Sequence, residues 1–151
     1  MQHTKNGRTL TDLILEIFRV NGAIINAGND LIKDLGLTSA RWQVLGALTE
    51  GPATVSDIAR HMWLSRQNVQ RIANQLIKDG FIETKTNPAH RRAKLCSLSP
   101  SGKEAMNEIT KRQMAWANEF SKNMNLEKLT TAVSEVKHIR ENLTKSHEVI
   151  E

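Results

Sequence analysis

Gln67, Gln70, Arg71 and Asn74 carry forked amide and guanidinium groups at spacings of three and four residues, which sets them along one side of a helix. Groups of this shape can make two-pronged hydrogen bonds with adenine and guanine edges in the major groove of duplex DNA. Arg66 and Lys78, at the two ends of the same stretch, are suited to phosphates. Ser65 stands where a helix would begin, and the free N–H groups and dipole of that end also favour a phosphate. With Val69 set toward a core, a step of about 100° per residue turns Gln67, Arg71, Asn74 and Lys78 outward and leaves Asn68 and Gln70 on the flanks. No acid interrupts this face before Asp79. Farther on, Arg91 and Arg92 close a turn-forming segment and suit an adjacent minor groove, whose negative field attracts arginine. The bland counter-readings are a solvated helix face and a solvated charged turn.

Charge distribution favours the sharper reading. Between Arg60 and Lys103 lie nine Lys or Arg against two acids, a net of +7 where the whole chain carries only +5. The rest, with twelve basic and fourteen acidic residues, is slightly acidic. A surplus gathered on one compact module marks a polyanion-binding surface.

The elements that must hold these residues follow from apolar spacing. Thr54 and Asp57 have capping-box spacing ahead of a short helix with Ile58, Ala59 and Met62 inward. After a break at Trp63-Leu64, a helix from Ser65 to Gly80 has Val69, Ile72, Ala73, Leu76 and Ile77 as its inward stripe. Two short helices joined by such a turn form a helix-turn-helix. Residues 81–86 and 93–98 are short enough for strands, and Asn87-Pro88-Ala89-His90-Arg91-Arg92 joins them as a hairpin, or wing. Leu95 and Leu98 have opposite parity, so the register stays open.

Longer helices flank this module. Thr9 and Asp12 suggest a start for a first helix reaching Leu35, about 39 Å at 1.5 Å per residue, with apolar positions from Leu10 through Ile17, Phe18, Ile24 and Ile25 to Leu35 on one stripe. A second follows Thr38, turns Trp42, Leu45 and Leu48 inward and stops at Gly51-Pro52. Ser99-Pro100 opens another, with Met106, Ile109, Gln113, Trp116, Phe120 and Met124 on one face. Asn125 caps the last, where Leu126, Leu129, Val133, Val136 and Leu143 recur. One small domain cannot cover so much apolar helix, which points to a subunit interface; a curved core helix is the alternative.

Residues 54–102 resemble the winged-helix core of the MarR (multiple-antibiotic-resistance regulator) family, most specifically in LSRQNVQRI, LIKDGFIE and NPAHRRAKLCSLSPSG. The resemblance implies a mainly α fold with a small β-hairpin wing: one domain over 1–151, dimerisation helices at 10–35 and 100–148, and a DNA-binding lobe at 38–98. It implies a homodimer with two recognition helices in successive major grooves of a double-stranded DNA operator. It further implies a repressor released by a small aromatic or anionic ligand, with no cofactor. A constitutive architectural DNA-binding protein without an effector is the alternative. The family's effector cavity lies between the dimer helices and the DNA-binding lobe, which makes Arg41, Trp42 and Trp63 ligand-binding candidates; core packing for Trp42 and Trp116, and a surface ion pair for Arg41, are the plainer roles.

Two positions depart from the family pattern. His90 stands where an Asp usually orients the wing arginine, here Arg92. Trp63 stands where a small residue is common; because a non-glycine at positive φ is strained, a differently shaped turn is expected, with Trp63 packed under the wing or in a ligand cavity.

Catalysis and metal binding find no support. No serine or cysteine has a base and an orienter nearby in pattern, so no enzyme is expected. His3, His61, His90, His138 and His147 lack metal-ligand spacing. Cys96, the single cysteine, reads as a small apolar filler, with a redox-responsive thiol as the alternative. No apolar run approaches the ~20 residues of a membrane span, and residues 1–8 lack the apolar core of a secretion signal, so a cytoplasmic location is expected.

Overall fold

The computed structural model describes residues 2–90 and 92–148. In chain order it contains α1 (Lys5–Ile32), a 3-10 turn (Lys33–Leu35), α2 (Ser39–Gly46), β1 (Ala53–Thr54), α3 (Val55–Met62), α4 (Arg66–Lys78), β2 (Ile82–Lys85), β3 (Leu95–Leu98), α5 (Pro100–Ser121) and α6 (Leu126–Glu148). The fold is mainly α with one small antiparallel sheet, a winged helix-turn-helix flanked by long helices. The chain forms two compact units that meet in sequence at Gln113 and Met114. No helix among the described residues is long and apolar enough to cross a membrane.

Local capping sets most helix starts. The Thr38 hydroxyl accepts from the Arg41 N–H at 3.3 Å, and Ser99 Oγ accepts from the Gly102 N–H at 3.0 Å. The first helix corrects the sequence expectation: it begins at Lys5, capped by Thr4, whose hydroxyl accepts from the Gly7 N–H at 3.0 Å. Thr9 lies inside the helix and donates to the Lys5 carbonyl at 3.1 Å. Nothing in residues 5–8 stops a helix from propagating back to an earlier cap, so the Thr9–Asp12 pattern had a competitor. At its other end α1 stops at Ile32, and the chain tightens into the 3-10 turn before Gly36 takes φ 68°. The second helix is also shorter than expected; it closes at Gly46, although Leu48 beyond it remains buried.

The core of the first unit joins Ile32, Val44, Leu45, Ile58, Val69, Ile72, Leu76, Ile82, Cys96 and Ile109, all nearly inaccessible to water. Helix α2 docks on α1 through Ser39, whose hydroxyl donates to the Ile25 carbonyl at 2.8 Å and whose N–H donates to Asn29 Oδ1 at 2.7 Å. Gly28 makes that approach possible, because a Cβ there would lie 2.5 Å from Ser39 Oγ. Gly102 does the same at the start of α5, where a Cβ would lie 2.1 Å from the Phe81 carbonyl oxygen. Ile77, expected inward on the recognition stripe, is a correction: it is 37% exposed, because the buried arc of α4 is centred on Val69, Ile72 and Leu76 and Ile77 lies past its edge.

The sheet has the order β1-β3-β2, all antiparallel. Ile82 pairs with Leu98, Thr84 with Cys96 and Lys85 with Leu95, which settles the register left open by sequence. Cys96 is the buried member of β3 and Leu98 packs against the core on the same side, whereas Leu95 has the opposite parity. The two-residue β1 had no sequence signature; its Ala53 and Thr54 pair with Cys96 and Leu95.

In the second unit, the indole of Trp116 and the ring of Phe120 stack with centroids 5.1 Å apart. Asn125 caps α6, its Oδ1 accepting from the Lys128 N–H at 2.9 Å. Phe120, Met124, Leu126, Val133 and Leu143 are all exposed.

Candidate nucleic-acid interface

Helices α3 and α4 are held by two caps and one strained turn. Thr54 and Asp57 form a complete capping box: the Asp57 N–H donates to Thr54 Oγ1 at 3.1 Å, and the Thr54 N–H donates to Asp57 Oδ2 at 3.2 Å. Hydrogen bonds from the Thr54 side chain and backbone hold the Asp57 carboxyl below its ordinary pKa, with Arg60 assisting more weakly. Ser65 caps α4, its Oγ accepting from the Asn68 N–H at 3.2 Å.

Between them Trp63 adopts φ 55° and ψ 37°, the one non-glycine residue at positive φ among the described residues. The turn therefore has the usual left-handed shape, and the expectation of a different one is corrected. Its hydrogen bonds explain why: the Leu64 N–H reaches the Ala59 carbonyl at 3.0 Å and the Trp63 N–H the Arg60 carbonyl at 3.4 Å, a Schellman closure. Leu64 packs against the core and anchors the turn. These contacts offset a left-handed penalty of roughly 1–2 kcal/mol. Trp63 is 67% exposed, so it does not pack under the wing and no cavity encloses it.

The α4 face matches its helical-wheel assignment. Ser65, Arg66, Gln67, Gln70, Arg71, Asn74 and Lys78 are exposed and Asn68 is half-buried. Gln70 Nε2 donates to Asn74 Oδ1 at 2.9 Å and Arg71 donates to Asn68 Oδ1 at 3.0 Å, so two pairs of forked groups are oriented along the helix. Arg66, Gln67, Gln70, Arg71 and Asn74 line one open depression. A second groove of about 370 Å³ is walled by Arg66, Gln70 and Asn74 of α4, Thr84 of β2, and Arg92 and Lys94 of the wing. The structure thus brings Arg66, Gln70 and Asn74 of the helix together with Arg92 of the wing in one groove, while Ser65, Asn68 and Lys78 line neither depression.

Arg91 lies outside the described residues. At the wing tip, Asn87 is buried and its Oδ1 accepts the Ala89 N–H at 3.0 Å, while the Ala93 N–H donates to the His90 carbonyl at 2.9 Å. His90 therefore shapes the tip through its backbone. Among the described residues Arg92 has no acidic partner.

The three ligand candidates have unlike surroundings. Arg41 is 15% exposed at its side chain and pairs with Asp79 at the end of α4. It also donates to the Gly36 carbonyl at 2.9 Å and lies over the Phe81 ring at 5.8 Å, so its charge is engaged within the lobe. Trp42 is half-buried against the core, and Trp63 is exposed. Cys96 is 2% exposed, and burial pushes its thiol pKa up, which disfavours the reactive thiolate.

Sequence reasoning missed one ion-pair cluster that ties α5 to the end of α1 and the 3-10 turn. Arg112 of α5 makes a two-pronged pair with Asp34 at 2.6 and 2.9 Å, reaches Glu108 at 2.8 Å, and donates to the Leu31 carbonyl at 3.1 Å. Hydrogen bonding from Arg112 is the chief cause of a lowered Asp34 pKa, and the pairing raises that of Arg112. The Glu108–Arg112 spacing of four was visible in sequence; Asp34, 78 residues away, was not.

Comparison with known proteins agrees with this geometry. The MarR family profile matches residues 35–93. An uncharacterized protein of Mycobacterium tuberculosis is 33% identical over 109 residues, covering 72% of this chain and 76% of the relative. The solved transcriptional regulator SlyA superposes with a TM-score of 0.82 at 19% identity, covering 93% of this chain and 99% of the other. A mutant MarR from E. coli in complex with operator DNA superposes with a TM-score of 0.78 at 20% identity, covering 87% and 95%.

Proposed function

The chain belongs to the MarR family of DNA-binding transcriptional regulators, and from that premise we propose that it is a cytoplasmic homodimer that represses transcription by occupying a pseudo-palindromic operator. The observation that carries this reading is the joint surface of α4 and the wing: a polar, acid-free helix face sharing one groove with Arg92 and Lys94. Gln67, Gln70 and Arg71 read base edges, with Asn68 and Asn74 orienting Arg71 and Gln70. Arg66, Lys78 and the capped end at Ser65 take phosphates, and Arg91 and Arg92 enter the minor groove.

Dimerisation through residues 10–35 and 100–148 is supported by apolar side chains left in water. Phe18 and Val133 are each 69% exposed, Phe120 62% and Ile24 58%. Large apolar side chains left exposed along a helix are characteristic of interaction surfaces. Two α4 helices one helical turn of DNA apart would then enter successive major grooves. A small aromatic or anionic ligand that binds better to another spacing of the two helices would withdraw the dimer from DNA by population shift. Trp42, half-buried and apolar, is the residue retained for contact with such a ligand.

Anisotropy titration of the purified chain on the DNA upstream of its own gene, against a scrambled duplex, tests the reading. A regulator separates the two by about a thousandfold or more. Equal affinity with a steep salt dependence for both would replace it with an architectural binder.

A further inference from the structure

We propose that the exposed indole of Trp63 is a DNA-backbone contact, packing its face against deoxyribose and donating its Nε1–H to a phosphate beside the groove that α4 enters. This assignment rests on the DNA-binding reading above and adds a residue to it.

Trp63 is in an unfavourable place twice over. It is 67% exposed, so a large apolar ring lies in water, and its backbone is left-handed at φ 55°. The fold does not need an indole here. The turn is held by backbone hydrogen bonds to Ala59 and Arg60 and by the packing of Leu64, none of which uses the Trp63 side chain. Among the described residues the ring has no stacking partner and no hydrogen bond. A side chain that costs the fold and receives nothing from it is explained by something outside the lobe.

Position identifies the occupant. Trp63 precedes Ser65, the cap of α4, by two residues, so their Cα atoms are at most about 7 Å apart. In a helix-turn-helix the first helix crosses the phosphate backbone and the N-terminal residues of the second reach base edges, so the turn between them passes over sugar and phosphate. Arg66, three residues after Trp63, is exposed and has no acidic partner among the described residues. Arg60, three residues before it, is exposed while sharing its charge with Asp57 at 3.4 Å, so the net positive field beside the turn comes chiefly from Arg66. An indole has the matching form, with an apolar face for the sugar and one N–H donor at its edge.

Trp63→Gly separates this role from a structural one, because glycine relieves the left-handed strain while removing the ring. The probe is the tightest duplex that the wild-type chain selects from a random pool, with a scrambled duplex beside it. Expected for Trp63→Gly are a melting temperature equal to or above wild type, an unchanged mass by light scattering, and affinity about tenfold lower for both duplexes, since backbone contacts carry no sequence information. Trp63→Phe should recover part of the loss, as a ring that retains the apolar face without the donor. Tryptophan emission should change when wild type meets the duplex, and Trp63→Phe should lose most of that change. Wild-type affinity in Trp63→Gly overturns the assignment. So does a loss of mass, which would place the indole in a subunit contact. Should the glycine variant not fold, Trp63→Asn, whose side chain tolerates the same backbone, decides by the same readouts. A wild-type chain that selects no duplex overturns the DNA-binding reading itself, whereas a wild type that binds while the variant matches it removes Trp63 alone.

Discussion

The helix-turn-helix lobe and the long helices contain apolar residues at the same helical spacing, yet dispose of them oppositely. In the lobe, Val69, Ile72 and Leu76 of α4 are at most 2% exposed. Along α1 and α6, Phe18, Ile24, Leu126 and Val133 are more than half exposed. Periodicity alone cannot distinguish the two, because it reports that a face is apolar and not what covers it. The lobe buries its apolar stripe within its own contacts, whereas the long helices leave much of theirs in water.

That contrast can be broken in order of effect. Leu76→Ala opens a cavity in the core and should cost about 2–5 kcal/mol in denaturant unfolding, independent of protein concentration. A loss under ~1 kcal/mol would mean that the lobe is less tightly packed than its burial indicates. Phe18→Glu and Val133→Glu should leave helical circular dichroism intact but convert a dimeric mass to a monomeric one at micromolar concentration, and weaken operator binding with it. A wild type already monomeric there would remove the interface assignment. Ser65→Ala deletes the cap of α4 and should cost about 1 kcal/mol, with a further drop in DNA affinity from the loosened helix end. Retention of both would show that the N–H groups of α4 find other partners.

The smallest effect is a dependence on pH. Asp34 and Asp57 both have folded pKa values below the ordinary 3.8, the first chiefly through Arg112 and the second through Thr54. Groups shifted down contribute stability above their unfolded pKa and lose it as pH falls through the folded one. The first unit should therefore weaken below about pH 4, and Asp34→Asn should flatten that slope while leaving the slope due to Asp57. An unchanged acid limb in Asp34→Asn would show that the Arg112 pair is screened by water.

Much of this was legible because caps are local. Thr38, Thr54, Ser65, Ser99 and Asn125 each accept from an N–H three residues on, a relation any reader of the sequence can see. Thr9 misled because Thr4 satisfies the same rule earlier, and a helix extends until its best stop. The α4 face was legible for the same reason, since neighbours at three and four residues are fixed by helical geometry. The Arg41–Asp79 and Arg112–Asp34 pairs were not, because they close over 38 and 78 residues and depend on how helices pack.

Sequence by itself determined the helix-turn-helix, the wing, the family and the polarity of the recognition face, all of which follow from short-range spacing and charge. Tertiary structure decided the sheet register, the third strand, the brace at Arg112, and the left-handed turn that leaves Trp63 in water. The first three depend on which distant backbone groups and side chains meet, which no local pattern encodes, while the turn at Trp63 closes over three and five residues but is anchored by the packing of Leu64 against the core.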